Sequence, residues 1–181
     1  MKKALKWTAI VVAVLVVGLF VAFKVMQANT KKASPEVTVE YKSNGTEVSV
    51  FYNAPSKRGR EIFGKLVPYG QVWRTGANEA TVFKTNQALT LGGKSLPAGE
   101  YTLWTIPGPE TWTVIFNGKQ YPWGVDWDSK PTREPEHDVL QVQVPVETQA
   151  PPVELFQISF DEKIPALVLA WDRTKVAVPM K

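Results

Sequence analysis

Val37-Thr38-Val39-Glu40-Tyr41-Lys42-Ser43-Asn44-Gly45-Thr46-Glu47-Val48-Ser49-Val50-Phe51-Tyr52 decides the fold. Val37, Val39 and Tyr41 alternate with Thr38, Glu40 and Lys42, and Val48, Val50 and Tyr52 take up the alternation again after Asn44-Gly45. Each run therefore has one face for a core and one for water. An Asn-Gly pair between alternating runs is the strongest short-range hairpin signal, because a type I′ turn needs positive φ at both central residues.

The same period of two recurs downstream. It predicts strands over Ala80–Thr85, Ala88–Leu91, Tyr101–Ile106, Thr111–Asn117, Val139–Val146, Glu154–Phe160, Ala166–Trp171 and Lys175–Val178. Gly92-Gly93 and Pro107-Gly108-Pro109 supply turns. Residues 120–138, QYPWGVDWDSKPTREPEHD, read as a long loop rich in proline and acids; loops of that length are often functional. No stretch after residue 35 sustains a helical period. The expected class is all-β: an antiparallel β-sandwich or jelly roll over residues 36–181.

The N-terminus is different in kind. Trp7 to Phe23, WTAIVVAVLVVGLFVAF, holds seventeen residues without a charge. That suffices for a helix across a bilayer core. A cleaved signal peptide would have a shorter apolar run and a small residue where Met26 stands before the best cut, after Ala28. The segment is therefore read as an uncleaved transmembrane signal anchor over residues 7–23, with 1–6 in the cytoplasm and 24–35 as a polar linker. Three lysines lie before the span and three soon after it, so the charge bias is nearly even. The short first segment favours N-terminus inside, which puts the folded part in the periplasm or outside the cell, with the lipid bilayer as partner of residues 7–23.

Composition narrows the functions. The chain has 181 residues, a net charge of +4 and no cysteine. Without cysteine there is no disulfide, thiol nucleophile or thiolate metal site. Six lysines and no acid lie in residues 1–34, which leaves 15 basic and 17 acidic residues beyond them. The remainder is mildly acidic and lacks the basic footprint of a nucleic-acid binder. The single histidine, His137 in Glu-Pro-Glu-His-Asp, does not suit zinc without further nitrogen or sulfur ligands. Asp126-Trp127-Asp128 begins like a calcium loop but lacks the later glycine and glutamate. No metal and no cofactor is expected.

The chemically richest stretch is Val72-Trp73-Arg74-Thr75-Gly76-Ala77-Asn78-Glu79-Ala80-Thr81. Gly76 and Asn78 tolerate positive φ, so Thr75–Asn78 suits a turn. On one reading this is a tied loop, with Arg74 and Glu79 paired across it, Asn78 satisfying backbone and Trp73 in the core. On the other, Arg74, Asn78 and Glu79 line a pocket, the arginine holding a carboxylate or phosphate and the others holding hydroxyls. A hydrolase using Glu79 would need a second carboxylate, for which Asp126 and Asp128 are candidates. Tyr121, Trp123 and Trp127 either cover the sheet edge or form a glycan platform. The basic run Lys57-Arg58-Gly59-Arg60 reads as solvated surface, with anion contact as the other option.

The run FYNAPSKRGREIFGKLVPYGQVWRTGANEATVFKT, then LPAGEYTLWTIPG, WTVIFN and LVLAWDRTKV, resembles the bacterial domain of unknown function 2911 over nearly all of residues 36–181. The resemblance implies a secreted or envelope-attached β-rich domain and no activity. It places the family's recurrent polar positions on Arg60, Tyr69, Trp73, Arg74, Asn78, Glu79 and Thr81. This chain departs from its relatives at Asn53-Ala54, where they tend to carry Ser-Arg, and at Gln141, where they tend to carry arginine.

The expected function is non-catalytic binding of a glycan, cell-wall fragment or small anionic ligand, with Arg60, Tyr69, Trp73, Arg74, Asn78 and Glu79 as binding residues. A structural or protein-interaction module of the envelope is the alternative, and a hydrolase the third reading.

Overall fold

The computed structural model describes residues 2–181; Met1, the first residue of the expected cytoplasmic segment, lies outside them. The chain divides into two units, the N-terminal helix through Ala33 and the unit Ser34–Lys181.

Helix α1 spans Lys2–Ala33. Within its part from Lys6 to Ala33 an 18-residue window reaches a mean hydropathy of 2.8, and the helix is long and apolar enough to cross a membrane as a signal anchor or spanning segment. The helix runs on through residues 24–33, where the sequence reading put a linker. Lysine, methionine, glutamine and alanine there are all good helix formers. The stop comes from Pro35, which disfavours helical backbone at Ser34, while Lys31 and Lys32 sit in the last turn, where cations suit the helix dipole.

The second unit is a curled antiparallel sheet of seven strands. In chain order the strands are β1 (Glu36–Ser43), β2 (Thr46–Asn53), β3 (Val82–Thr85), β4 (Leu89–Leu91), β5 (Lys94–Leu96), β6 (Gly99–Ile106), β7 (Thr111–Asn117), β8 (Asp138–Asp161) and β9 (Ala166–Pro179). The large sheet has the order β1-β2-β3-β6-β7-β8-β9, and β4 and β5 form a separate hairpin. The Asn44-Gly45 turn forms as expected, with φ of 49° and 82°, and sets Val39 opposite Val50.

Strand β8 makes the curl. Its first part pairs with β7 as far as Pro145 opposite Thr111, and from Val146 it pairs with β9. The ladder shifts register between Thr148 and Val153 and again before Gln157. Bulges of this kind bend a strand and increase its twist. The sequence predicts separate strands on either side of residues 147–153, ETQAPPV, and separate strands around Asp172-Arg173. Both pairs are continuous. Pro151 and Pro152 fall in the gap between the paired residues Thr148 and Val153, where a missing N–H costs no ladder bond. Asp172 takes up its side of the irregularity with φ of 52°. Strand β5, which the sequence reading lacks, completes the hairpin around Gly92-Gly93.

The curl brings distant strands over one core. Tyr41 of β1 packs on Phe160 of β8, ring centroids 5.6 Å apart. The Ile158 N–H donates to the Tyr52 hydroxyl at 3.0 Å. Val48, Val50, Phe83, Leu103, Val114, Phe116, Val142, Phe156, Leu169 and Val178 are all buried between. Each such side chain contributes about 1.5–3 kcal/mol by leaving water. At one place the core is aromatic: Phe63, Trp73, Trp112, Phe156 and Trp171 pack with centroids 4.7–6.4 Å apart.

Strands β6 and β7 are covered on their other face too. Trp104 and Ile115 pack there with Ala80 and Tyr121. The segments leading to β3 and to β8 supply that cover, and they carry the candidate site.

Candidate functional site

The segment before β3 lies along β6. Trp73 and Thr105 exchange backbone hydrogen bonds at 2.7 and 2.9 Å. The chain then turns through Thr75 (φ 58°), Gly76 (φ 153°) and Asn78 (φ 54°). Side chains lock that turn. The Thr81 hydroxyl donates to the Thr75 carbonyl at 2.7 Å, and the Thr75 hydroxyl to that of Thr105 at 3.1 Å. The Asn53 amide donates to Glu79 Oε2 at 3.0 Å. Asn78 donates to Asn53 Oδ1 and to the Ser34 carbonyl, both at 3.4 Å. Asn53 is fully buried. It ends β2, and nothing local marks it as a partner of a turn 25 residues away.

Arg74 and Glu79 stand on either side of this turn, both half-buried. Burial lowers the Arg74 pKa, and the charge of Glu79 acts against that shift. Arg74 Nη1 donates to the Trp123 carbonyl at 3.2 Å. Among the described residues the Trp112 indole nitrogen is the one buried side-chain nitrogen or oxygen without a partner.

The structure does not gather all six sequence-predicted binding residues. Arg74, Asn78 and Glu79 share one turn. Asn78 is sealed at 7% exposure and serves the turn. Trp73 packs in the aromatic cluster, stacked with Trp171 at 5.9 Å. Arg60 lies on the loop after β2, where its guanidinium donates to the Ser56 and Lys57 carbonyls. Tyr69 is exposed on another loop, and its ring lies so close to Gly64 that a Cβ there would come within 2.9 Å. Thr81, the further recurrent position, is buried in the turn.

The long loop before β8 roofs part of this region. Gly124 lies against Arg74, Trp104 and Ala80, where an added Cβ would meet them at 3.2–3.4 Å. Tyr121 is buried with its ring edge-on to Trp104, so it covers the sheet as the first of the two aromatic readings expects. Arg133 grips Asp138 with two bonds, at 3.0 and 2.5 Å, and Asn117 ties Asp138 and the Glu134 carbonyl. Burial pushes the Asp138 carboxyl up, but hydrogen bonds from Arg133, Asn117 and Gln141 and the Arg133 charge outweigh it and hold the pKa below its ordinary value.

Two other groups deserve placing. Glu134, Glu136 and His137 bring ligand atoms within 4.8 Å of one another. The Lys119 ammonium binds Glu134 and, by that hydrogen bond first, lowers its pKa. Asp126 Oδ1 accepts the N–H groups of Asp128 and Lys130, both at 2.9 Å, and Asp128 pairs with Lys130. Both aspartates serve their own turn.

The comparisons bear on the domain and not on its chemistry. The family model described as a protein of unknown function, DUF2911, matches residues 34–180. No curated protein matches the chain, and no solved structure does.

Proposed function

The chain belongs to the DUF2911 family, which brings no activity with it, and from its geometry we propose a membrane-tethered, non-catalytic binding module that faces the periplasm or the cell exterior. Arg74 is its contact for a small carboxylate- or phosphate-bearing ligand, such as an anionic cell-wall fragment. One observation supports this reading: the Arg74 guanidinium is partly desolvated and is held, among the described residues, by a hydrogen bond to the Trp123 carbonyl. A planar fork suits a carboxylate or phosphate. Glu79, whose carboxylate accepts from Asn53, limits how much negative charge the site welcomes. The hydrolase reading has less support, since Asp126 spends its carboxylate on the turn that holds it and Asp128 pairs with Lys130.

A thermal-shift titration of the Ser34–Lys181 unit with small carboxylates, phosphates and anionic muropeptides tests this. A ligand at 100 times its Kd should stabilise the native state by about 2.7 kcal/mol. Arg74→Lys should keep the fold and lose the shift, because a point charge does not replace the fork. If no anion shifts the wild type, Arg74 is a structural tie of the long loop, as its bond to Trp123 also allows.

A further inference from the structure

The long loop presents one side chain for which the fold has no use. Among the tryptophans, Trp104, Trp112 and Trp171 are at most 1% exposed, whereas Trp127 is 102% exposed. It does not hang on a slack chain. Asp126 Oδ1 takes the N–H groups of Asp128 and Lys130, the Asp126 N–H donates to the Lys130 carbonyl at 3.0 Å, and Ser129 N–H donates to the Asp126 carbonyl at 3.1 Å. Below the turn, Val125 bridges Pro131, and Thr132 N–H donates to the Gly124 carbonyl at 3.1 Å. The turn is pre-organised, and the indole at its tip has both faces in water.

We propose that Trp127 is a stacking platform for a neutral pyranose ring of a glycan. A large apolar face on a turn whose backbone is already ordered costs little backbone entropy on binding and gains by being covered. The rim selects the partner. Asp128 and Lys130, on the same turn and with side chains 76% and 74% exposed, offer an acceptor and donors, and sugar hydroxyls both give and take hydrogen bonds. Asp126 and Asp128 outweigh Lys130, so the rim is acidic and disfavours an anionic lipid surface. This site is separate from the Arg74 reading and does not depend on it.

The probe is a β-1,4-linked N-acetylglucosamine tetramer, titrated into full-length protein in dodecylphosphocholine micelles with 15N-labelled tryptophan. One indole N–H resonance, identified by its absence from Trp127→Phe, should move saturably while the others stay. By calorimetry Trp127→Ala should weaken binding about tenfold or more, the measure of a lost aromatic anchor, whereas Ile164→Ala, at another exposed apolar side chain, should leave it unchanged. Unmoved other indole resonances would show that the variants remain folded. The proposal is overturned if no indole resonance moves at millimolar sugar, if a different one moves, or if Trp127→Ala keeps its affinity. It is equally overturned if the Trp127 resonance moves in anionic bicelles without sugar, which would assign the tip to lipid.

Discussion

Gly76 has φ of 153°, and a Cβ on it would lie 3.0 Å from the Asn53 carbonyl oxygen and 3.1 Å from Thr81 Oγ1. Backbone on one side and an engaged hydroxyl on the other leave little room to yield. Gly76→Ala should therefore destabilise the domain by about 1–3 kcal/mol, as strain at a special backbone position does, measured by urea unfolding. Trp73→Ala should cost more, about 3–5 kcal/mol, because it empties the middle of the aromatic cluster. The sequence marks Gly76 and Asn78 as turn residues by their tolerance of positive φ, and the φ values agree. It does not separate a sealed asparagine from one that touches ligand. That depends on Asn53 and Ser34, which only the fold brings near.

At the scale of elements, the loop before β8 is held by side-chain clamps, with one 3-10 turn over Pro135–His137. Asp138 has a folded pKa below its unfolded one, so its contribution to stability is present above the unfolded aspartate value of about 3.9. It is lost as the pH falls through the lower, folded pKa. Asp138→Asn should cost about 3 kcal/mol at neutral pH, because it leaves the nearly buried Arg133 without its partner. It should also flatten the acid limb of a plot of stability against pH, measured by denaturant unfolding between pH 2 and 7. Most strands are legible because alternation is a local property. The fusion of strand pairs into β8 and β9 is not, since Pro151-Pro152 and Asp172 read as breaks until the facing strand shows the bulge that accommodates them.

At the scale of the molecule, the unit from Ser34 onward carries its own core. A chain starting at Ser34 should unfold in one cooperative transition by circular dichroism. A chain starting at Val37 should be less stable by about 1–3 kcal/mol, because it deletes the Ser34 carbonyl that receives Asn78 and the Pro35 carbonyl that receives the Ala54 N–H at 2.9 Å. The boundary of the domain is thus set by hydrogen bonds to residues that precede its first strand.

The sequence by itself determined the apolar helix, the β class, the Asn-Gly hairpin and the family, since each rests on residue order within a short window or on a long matching run. Tertiary structure alone decided that β8 bends from one partner to another, that Arg74 is half-buried while Asn78 is sealed, and that Trp127 stands in water while Tyr121 does not. Exposure and pairing depend on what the rest of the chain places opposite a residue, and neighbours far apart in sequence leave no mark on the local pattern.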